Sequence, residues 1–417
     1  MDTKIKKRLA FAITLSCLLV YTFSMCLKSV YSASMVVVKT EYDVPHSIAS
    51  LPITIYFILY AVIQLFLAAI MKKLNMKLYM LITFTISGLL FMSVFFFSPV
   101  WYVCSVMAIN GITLGAVWCG SVMIFSKFLT KKQMNDSFLI MGAGGTVGNA
   151  LSYGISALSM YLNNWRLSFL IAGTAFLLAT AYMIITIYRA ERAGLMPDES
   201  SSAVTKKNQV YTAEKYEAKP LIVMAMIVAF LACILYYAFT NWMPTILKSL
   251  FDMSNEEATV VSMVFPVTVF AGVYLANILS NKIKNDFLLT ALCGAIVVVL
   301  SFVLCFTFNV NVIVCIAVIV GLGIVLRLIN SLNCSLVTLH TRDYFNSGST
   351  ASLINSSACV AAGISPALIA MILDLSGGDW KTGFIVLFIT AVVLTAVASA
   401  FLLTNIRRRR VEVIKGS

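Results

Sequence analysis

The chain is a succession of apolar runs, each roughly 20 to 30 residues long, separated by short polar breaks. As a helix rising about 1.5 Å per residue, such a run crosses the roughly 30 Å of hydrocarbon in a bilayer. Backbone N–H and C=O groups find no water there, so the helix, which satisfies them internally, is the default spanning element. The runs place spans at 9–38, 47–71, 77–97, 100–129, 136–162 and 165–188. After a polar stretch a second set follows at 220–250, 256–281, 287–308, 310–339, 345–374 and 380–404. An all-α integral membrane protein of about twelve transmembrane helices is therefore expected.

A water-soluble fold is excluded by the small polar complement: 11% of residues are charged and 60% hydrophobic, against about 25% charged in soluble domains. Lys4, Lys6, Lys7 and Arg8 precede the first run, as in a signal peptide. That run is too long and lacks a clear small-residue cleavage site, so it is expected to remain as helix 1. The net charge of +13 would fit nucleic acid until the 30 Lys and Arg are placed on the topology. Only Lys39, Arg166, Lys248 and Lys381 fall on the face opposite the N-terminus, and away from the span ends only Lys28 and Arg327 lie inside the membrane. The basic excess thus orients the protein with both termini cytoplasmic, in the plasma membrane, and excludes nucleic acid as the partner.

All 10 cysteines fall within spans, with no CxxC pair, and are read as packing residues. His46 and His340 lie far apart, and no His/Cys/carboxylate cluster has metal-ligand spacing. Neither an enzyme, a metal nor a cofactor is expected.

The stretch 189–219 is the one long polar segment and is expected to be a cytoplasmic linker between a first half, 1–188, and a second, 220–417. Near the end of each half stands a matching phrase, NNWRLSFLIAG around Trp165 and GDWKTGFIVLF around Trp380. In both, a basic residue follows the Trp and a Phe stands four positions on. The preceding runs, GAGGTVGNALSYGISAL and INSSACVAAGISPALIA, are dense in small residues, which let helix backbones approach closely in lipid. The glycines 142, 144, 145 and 148 are accordingly read as packing positions, since no strand precedes them as a phosphate-cradling loop requires.

Two six-helix halves, with NWRLSFLIAG, YYAFTNWMPTIL and AGLMPDE, make the chain resemble the major facilitator superfamily over essentially its whole length. Within it the phrases resemble the branch of organophosphate:phosphate antiporters and anion:cation symporters. The superfamily's loop signature after helix 2 appears here as AAIMKKLNMK, with the basic character kept at Lys73 and Lys77 but Lys72 where an Asp is usual. The gating role of that acidic residue is therefore not carried over. The phosphate antiporters resembled carry an Arg-Lys pair in helix 1 and an Arg in helix 7. Here Leu27-Lys28 and Tyr236 stand at those places, so Arg327 of helix 10 is expected to substitute, and a singly charged organic acid fits as well as a phosphate.

Lys28 and Arg327 carry the functional reading, because a cation at the bilayer centre costs at least about 2.5 to 3.5 kcal/mol. All 17 acidic residues fall at span ends or outside spans. The missing counter-charge is expected to be the substrate, an anion clamped between Lys28 and Arg327. Ser24, Tyr31 and Ser32 share the face of Lys28, Asn330 and Ser331 that of Arg327, and Tyr56, Tyr60 and Gln64 form a stripe on helix 2. Trp118 of helix 4, with Tyr237 and Asn241 of helix 7, completes the candidate substrate contacts.

The sequence thus predicts a secondary transporter, monomeric in the lipid bilayer, that moves a small organic anion (carboxylate, sugar acid or sugar phosphate) by alternating access. Exchange or facilitated movement is favoured over proton symport, which usually needs an intramembrane carboxylate or His. The alternatives are an efflux transporter of an amphipathic drug or metabolite, for which cationic substrates would call for an acidic cavity, and a transporter-like membrane sensor.

Overall fold

The computed structural model describes residues 3–70, 75–195, 214–283, 285–340 and 347–416, and these are almost entirely helical. The helices are α1 (Thr3–Glu41), α2 (His46–Ile70), α3 (Met76–Ser93), α4 (Val100–Leu114), α5 (Val117–Phe128), α6 (Lys131–Tyr161) and α7 (Leu167–Arg192). They continue as α8 (Glu214–Phe251), α9 (Asn255–Ser262), α10 (Val264–Ile283), α11 (Asp286–Thr307), α12 (Val312–His340), α13 (Ser347–Leu375) and α14 (Trp380–Gly416). Nine stretches among the described residues are long and apolar enough to cross a membrane. With α4 and α5 taken as one interrupted span, and α9 and α10 as another, the helices follow the twelve expected runs.

The two interruptions have local causes. Gly115 and Ala116 stay in right-handed helical conformation, so the α4–α5 break is a slight unwinding rather than a turn. Between α9 and α10, Pro266 has no N–H to offer the Ser262 carbonyl, and the helix restarts around Met263. The fifth expected span begins earlier than its apolar run, at Lys131, because the Thr130 N–H donates to Gln133 Oε1 at 3.0 Å and caps the helix there.

Helix ends repeat in matching pairs. Asp43 after α1 and Asp252 after α8 both adopt the left-handed conformation that Asp tolerates, with φ of 46° and 49°. Asn75 Oδ1 accepts from the Leu78 N–H at 3.3 Å to start α3, and Asn285 Oδ1 accepts from the Leu288 N–H at 3.2 Å to start α11. The helices that follow the matching Trp phrases, α7 and α14, also correspond.

The described residues form two compact units. Of the described residues, the first comprises 3–44, 51–70, 75–195 and 254–266; the second comprises 45–50, 214–253, 267–283, 285–340 and 347–416. Most of the expected linker, at 196–213, lies outside the described residues. In the first unit α6 lies directly on α1: a Cβ added at Gly148 would stand 2.0 Å from the Thr22 carbonyl oxygen, and one at Gly144 would stand 2.5 Å from Leu18 Cδ1. In lipid this close approach supplies dispersion contact that the hydrophobic effect cannot. The counterpart seam in the second unit is α8 on α13, where Ser365 Oγ donates to the Ile234 carbonyl at 2.6 Å. Large apolar side chains such as Phe11, Leu178, Val299 and Ile313 stand exposed, as a lipid-facing surface requires.

The seam makes a direct test. Gly148→Ala places a methyl against backbone that cannot yield and is expected to cost about 1 to 3 kcal/mol. Gly142→Ala, where nothing stands within 4 Å, is expected to be neutral or stabilising. Melting temperatures of the purified variants in detergent check the pair.

Candidate functional site

In the first unit the features centre on Lys28, half-buried on α1. Its Nζ donates to Met25 Sδ at 3.3 Å and stands 5.5 Å from the centre of the Phe57 ring on α2. Both are soft, polarisable neighbours that accommodate a cation in a low-dielectric setting. Of the residues expected on the same face, Ser24 donates its hydroxyl to the Tyr21 carbonyl at 2.7 Å, within its own helix. Tyr31 is fully buried, with Cys104 and Tyr42 among its electrostatic neighbours. Tyr60 stacks on Tyr56 with ring centres 5.8 Å apart, and Gln64 is half-buried two turns beyond Tyr56. Trp118 meets Tyr21 edge to face at 5.4 Å, bringing α5 to α1.

The second unit is organised around Arg327 on α12. Its guanidinium carbon lies 3.7 Å from the centre of the Tyr236 ring and 5.7 Å from that of Tyr237, both on α8. Gly272 of α10 lets the arginine stem pass, since a Cβ there would stand 2.6 Å from Arg327 Cβ. The Nε of Arg327 is buried without a hydrogen-bond partner among the described residues. Tyr237 packs edge-on against Tyr236 at 5.5 Å, and Asn241, buried, donates to the Tyr237 carbonyl at 2.8 Å. Asn330 is half-buried one turn after Arg327, and its Oδ1 lies 4.0 Å from Cys233 Sγ. A small cavity elsewhere in this unit, lined by Phe239, Ile246, Ile369, Trp380 and Phe384 among others, is wholly apolar and offers an anion nothing.

Sequence reasoning therefore singled out both cations but missed the groups that hold them. Met25 and Phe57 carry no polar signal. Tyr236 was read as the place of a missing cation, whereas it is the platform beneath the cation that is present. A Tyr one helix away from an Arg has no sequence spacing by which to be found.

The Trp phrases anchor helix ends. Trp165 Nε1 and the Arg166 guanidinium both donate to the Glu41 carboxylate at the end of α1, and Arg166 Nε donates to Ser98 Oγ at 2.6 Å. Burial opposes the Arg166 charge, but the bonds to Glu41 and Tyr42 hold its pKa above the ordinary arginine value. In the second unit Trp380 Nε1 donates to Ser249 Oγ at 3.1 Å, at the end of α8. Phe169 then stacks on Phe91 of α3 at 4.9 Å, and Phe384 meets Phe308 beyond α11 at 5.4 Å. Each phrase thus ties the first, third and last helices of its half.

With this geometry in hand, comparison with known proteins is informative. The Major Facilitator Superfamily profile matches residues 17–366. The chain belongs to that superfamily. Comparison with curated proteins gives no significant match. Among solved structures, a bacterial homolog of the human lysosomal transporter Spinster, inward-facing and occupied, superposes with TM-score 0.74 at 14% identity, covering 97% of this chain and 98% of its own. A D-xylose-proton symporter gives 0.72 at 14% identity, covering 94% and 97%, and the nucleoside transporter NupG gives 0.68 at 12%, covering 93% and 99%. At these identities the likeness shows the superfamily fold alone. This facilitator protein is accordingly a multi-pass membrane transporter.

The superfamily's loop after helix 2 falls partly outside the described residues, which omit Lys72 and Lys73. Lys77 is described: its Nζ lies 2.6 Å from Glu191 Oε2, and Lys127 Nζ lies 2.8 Å from Glu191 Oε1. One carboxylate thereby joins α3, α5 and α7 at one end of the bundle. Among the described residues no group of three or more His, Cys, Asp and Glu is placed to hold a metal ion.

Glu41→Gln is expected to weaken the Trp165 and Arg166 anchors together, costing about 1 kcal/mol at this half-exposed site. Because the partners act as a unit, Glu41→Gln combined with Arg166→Gln is expected to cost less than the two single changes added. A double-mutant cycle on melting temperature reads the coupling directly.

Proposed function

We propose that the protein moves a small organic anion across the plasma membrane by alternating access, with both termini cytoplasmic and the halves 1–188 and 220–417 as the moving bodies. The observation that carries this reading is the charge balance of the spans. Lys28 and Arg327 stand inside them, while all 17 acidic residues stand at span ends or outside. Charge buried in a membrane marks a substrate or ion pathway by default, because its cost of several kcal/mol is otherwise without return. An anionic substrate supplies the balancing charge, recognised by Lys28 of the first unit and Arg327 of the second, as an ion bound through charge-assisted hydrogen bonds.

Tyr60, Gln64 and Trp118 in the first unit, and Tyr237, Asn241 and Asn330 in the second, supply the neutral contacts of the proposed site. Ser24 and Tyr31 shape the helix that carries Lys28. Of the contacts in the second unit, Tyr237 lies nearest the stacked guanidinium, with its ring centre 5.7 Å from the guanidinium carbon. The phrases shared with the organophosphate antiporters and anion:cation symporters support a place in that branch. The absence of a carboxylate in the span interiors supports exchange or facilitated passage over proton symport. The transporter works as a monomer and without a cofactor.

A ligand that binds only the folded state raises its melting temperature by mass action. The test is a panel of sugar phosphates, sugar acids, mono- and dicarboxylates and neutral sugars, applied to the wild type, Lys28→Ala and Arg327→Ala. Anions alone are expected to stabilise the wild type, and both variants to lose the response. Stabilisation by neutral or cationic compounds, or a normal response of both variants, would overturn the anion reading. Flux of the stabilising anion into liposomes then separates a carrier from a sensor, which binds without moving its ligand.

A further inference from the structure

α2 begins without a cap of its own. Its first helical residue is His46, and the side chain of Pro45 before it carries no acceptor atom. Its first intrahelical bond runs from the Ala49 N–H to the Pro45 carbonyl at 3.0 Å, so the earlier N–H groups need an acceptor from elsewhere. Asp374 of α13, 328 residues on, supplies it. Its Oδ1 accepts from the His46 N–H at 2.9 Å, and its Oδ2 accepts from the Ser47 N–H at 2.9 Å. The His46 ring completes the arrangement, with Nδ1 3.0 Å from Oδ1 and the ring tilted against the Trp242 indole of α8 at 5.7 Å.

These bonds tie the first turn of α2 to a different unit from the rest of the helix. Residues 45–50 belong to the second unit, whereas 51–70 belong to the first. A reciprocal exchange occurs at 254–266, which comes from the second half of the chain and belongs to the first unit. There Thr259 donates its hydroxyl to Met160 Sδ at 3.6 Å, and a Cβ on Gly154 would meet Met263 Cε at 3.4 Å, both neutral contacts with α6. α2 follows α1, and α9 follows α8, so in the proposed topology both exchanges lie on the membrane face opposite the termini.

We infer that Asp374 and His46 form a latch: the cap on α2 must break for residues 45–50 to leave the second unit during the transport cycle, and acid on that face holds it closed. This rests on the alternating-access reading above, in which the halves 1–188 and 220–417 move. Acid acts through His46. A neutral ring donates an ordinary hydrogen bond to Asp374, whereas a protonated ring makes that bond charge-assisted and sets a cation beside Trp242. The latched state alone places the carboxylate against the ring, so protons favour it. The added hold is present below histidine's ordinary value of about 6.5 and is lost as pH rises past it, while an ordinary carboxylate, at about 4, stays ionised throughout. The other charged groups of the second unit at this end are Lys248, Asp252, Asp379 and Lys381, and Asp43 precedes His46 by three residues. Asp379 is engaged by the Lys381 N–H and the Thr382 hydroxyl.

The experiment measures amide hydrogen exchange by mass spectrometry in peptides covering 45–50 and 254–266. Each rate is divided by that of the unstructured peptide at the same pH. Wild type, Asp374→Ala, Asp374→Asn, His46→Gln and Gly154→Phe are compared at about pH 5.5 and about pH 7.5, either side of histidine's ordinary value. In the wild type both segments are expected to be about threefold or more better protected in acid, the scale of a bond gaining a charge at a partly exposed site. Asp374→Ala is expected to lose about five- to tenfold of protection in both segments together, the scale of a lost helix cap. Asp374→Asn is expected to lose less but also to lose the acid gain. His46→Gln is expected to keep most of the protection and to show no acid gain.

The inference is overturned if Asp374→Ala exposes 45–50 alone, as loss of a merely local cap does, or if the acid gain survives His46→Gln. Should Asp374→Ala fail to fold, Asp374→Asn decides in its place. Gly154→Phe wedges the 254–266 contact and leaves Asp374 untouched. If it exposes both segments while Asp374→Ala exposes one, the halves move but Asp374 is not their latch. If neither variant couples the two segments, the reading of the halves as moving bodies fails, and the latch with it.

Discussion

Everything in this protein depends on the fact that hydrocarbon offers the backbone no hydrogen bonds. That constraint turns each apolar run into a helix and leaves close packing to hold the helices to one another. The α1–α6 seam shows the consequence at atomic scale, with Gly148 facing the Thr22 carbonyl where no side chain would fit. Gly111 of α4 serves the same end against the Tyr56 carbonyl on α2. The residues that look least informative in the sequence, a scatter of glycines and serines, thereby set which helices touch.

At the ends of the helices, where water and headgroups return, polar chemistry takes over. The two halves use the same devices at corresponding places. A left-handed Asp follows the first helix, an Asn caps the third, and a Trp before the last reaches back to the end of the first. The first half strengthens its anchor with a charged pair, Arg166 on Glu41, where the second has Ser249 and places Asp379 beside Lys381 instead. The Asp379 carboxyl is held below the ordinary carboxylate range by the Lys381 N–H and the Thr382 hydroxyl.

Against this apolar background the two span cations stand out, and the structure treats them differently. Lys28 is a point charge on a flexible stem among a thioether and a phenyl ring, neither of which imposes an orientation. Arg327 is a plane held on another plane.

How much of this was legible beforehand follows from the range of the forces involved. The span number and the doubled organisation come from hydropathy and the repeated Trp phrases, which act over a few residues of chain and can be read along it, whereas helix ends such as that of α6 follow caps the apolar runs do not show. The inconsistency of Lys28 and Arg327 with their spans was equally plain, since it needs only their position in an apolar run. Two kinds of feature were not legible. The unwinding at Gly115 was invisible because an isolated Gly is compatible with a continuous helix. The Tyr236 platform beneath Arg327 joins α8 to α12, across more than 90 residues of sequence. The sequence by itself determined that the chain crosses the membrane as two related sets of helices with two cations in span interiors. Only the tertiary structure decided which faces of those helices meet, and so that the Arg327 guanidinium lies on the Tyr236 ring, because that depends on packing between segments that no local pattern records.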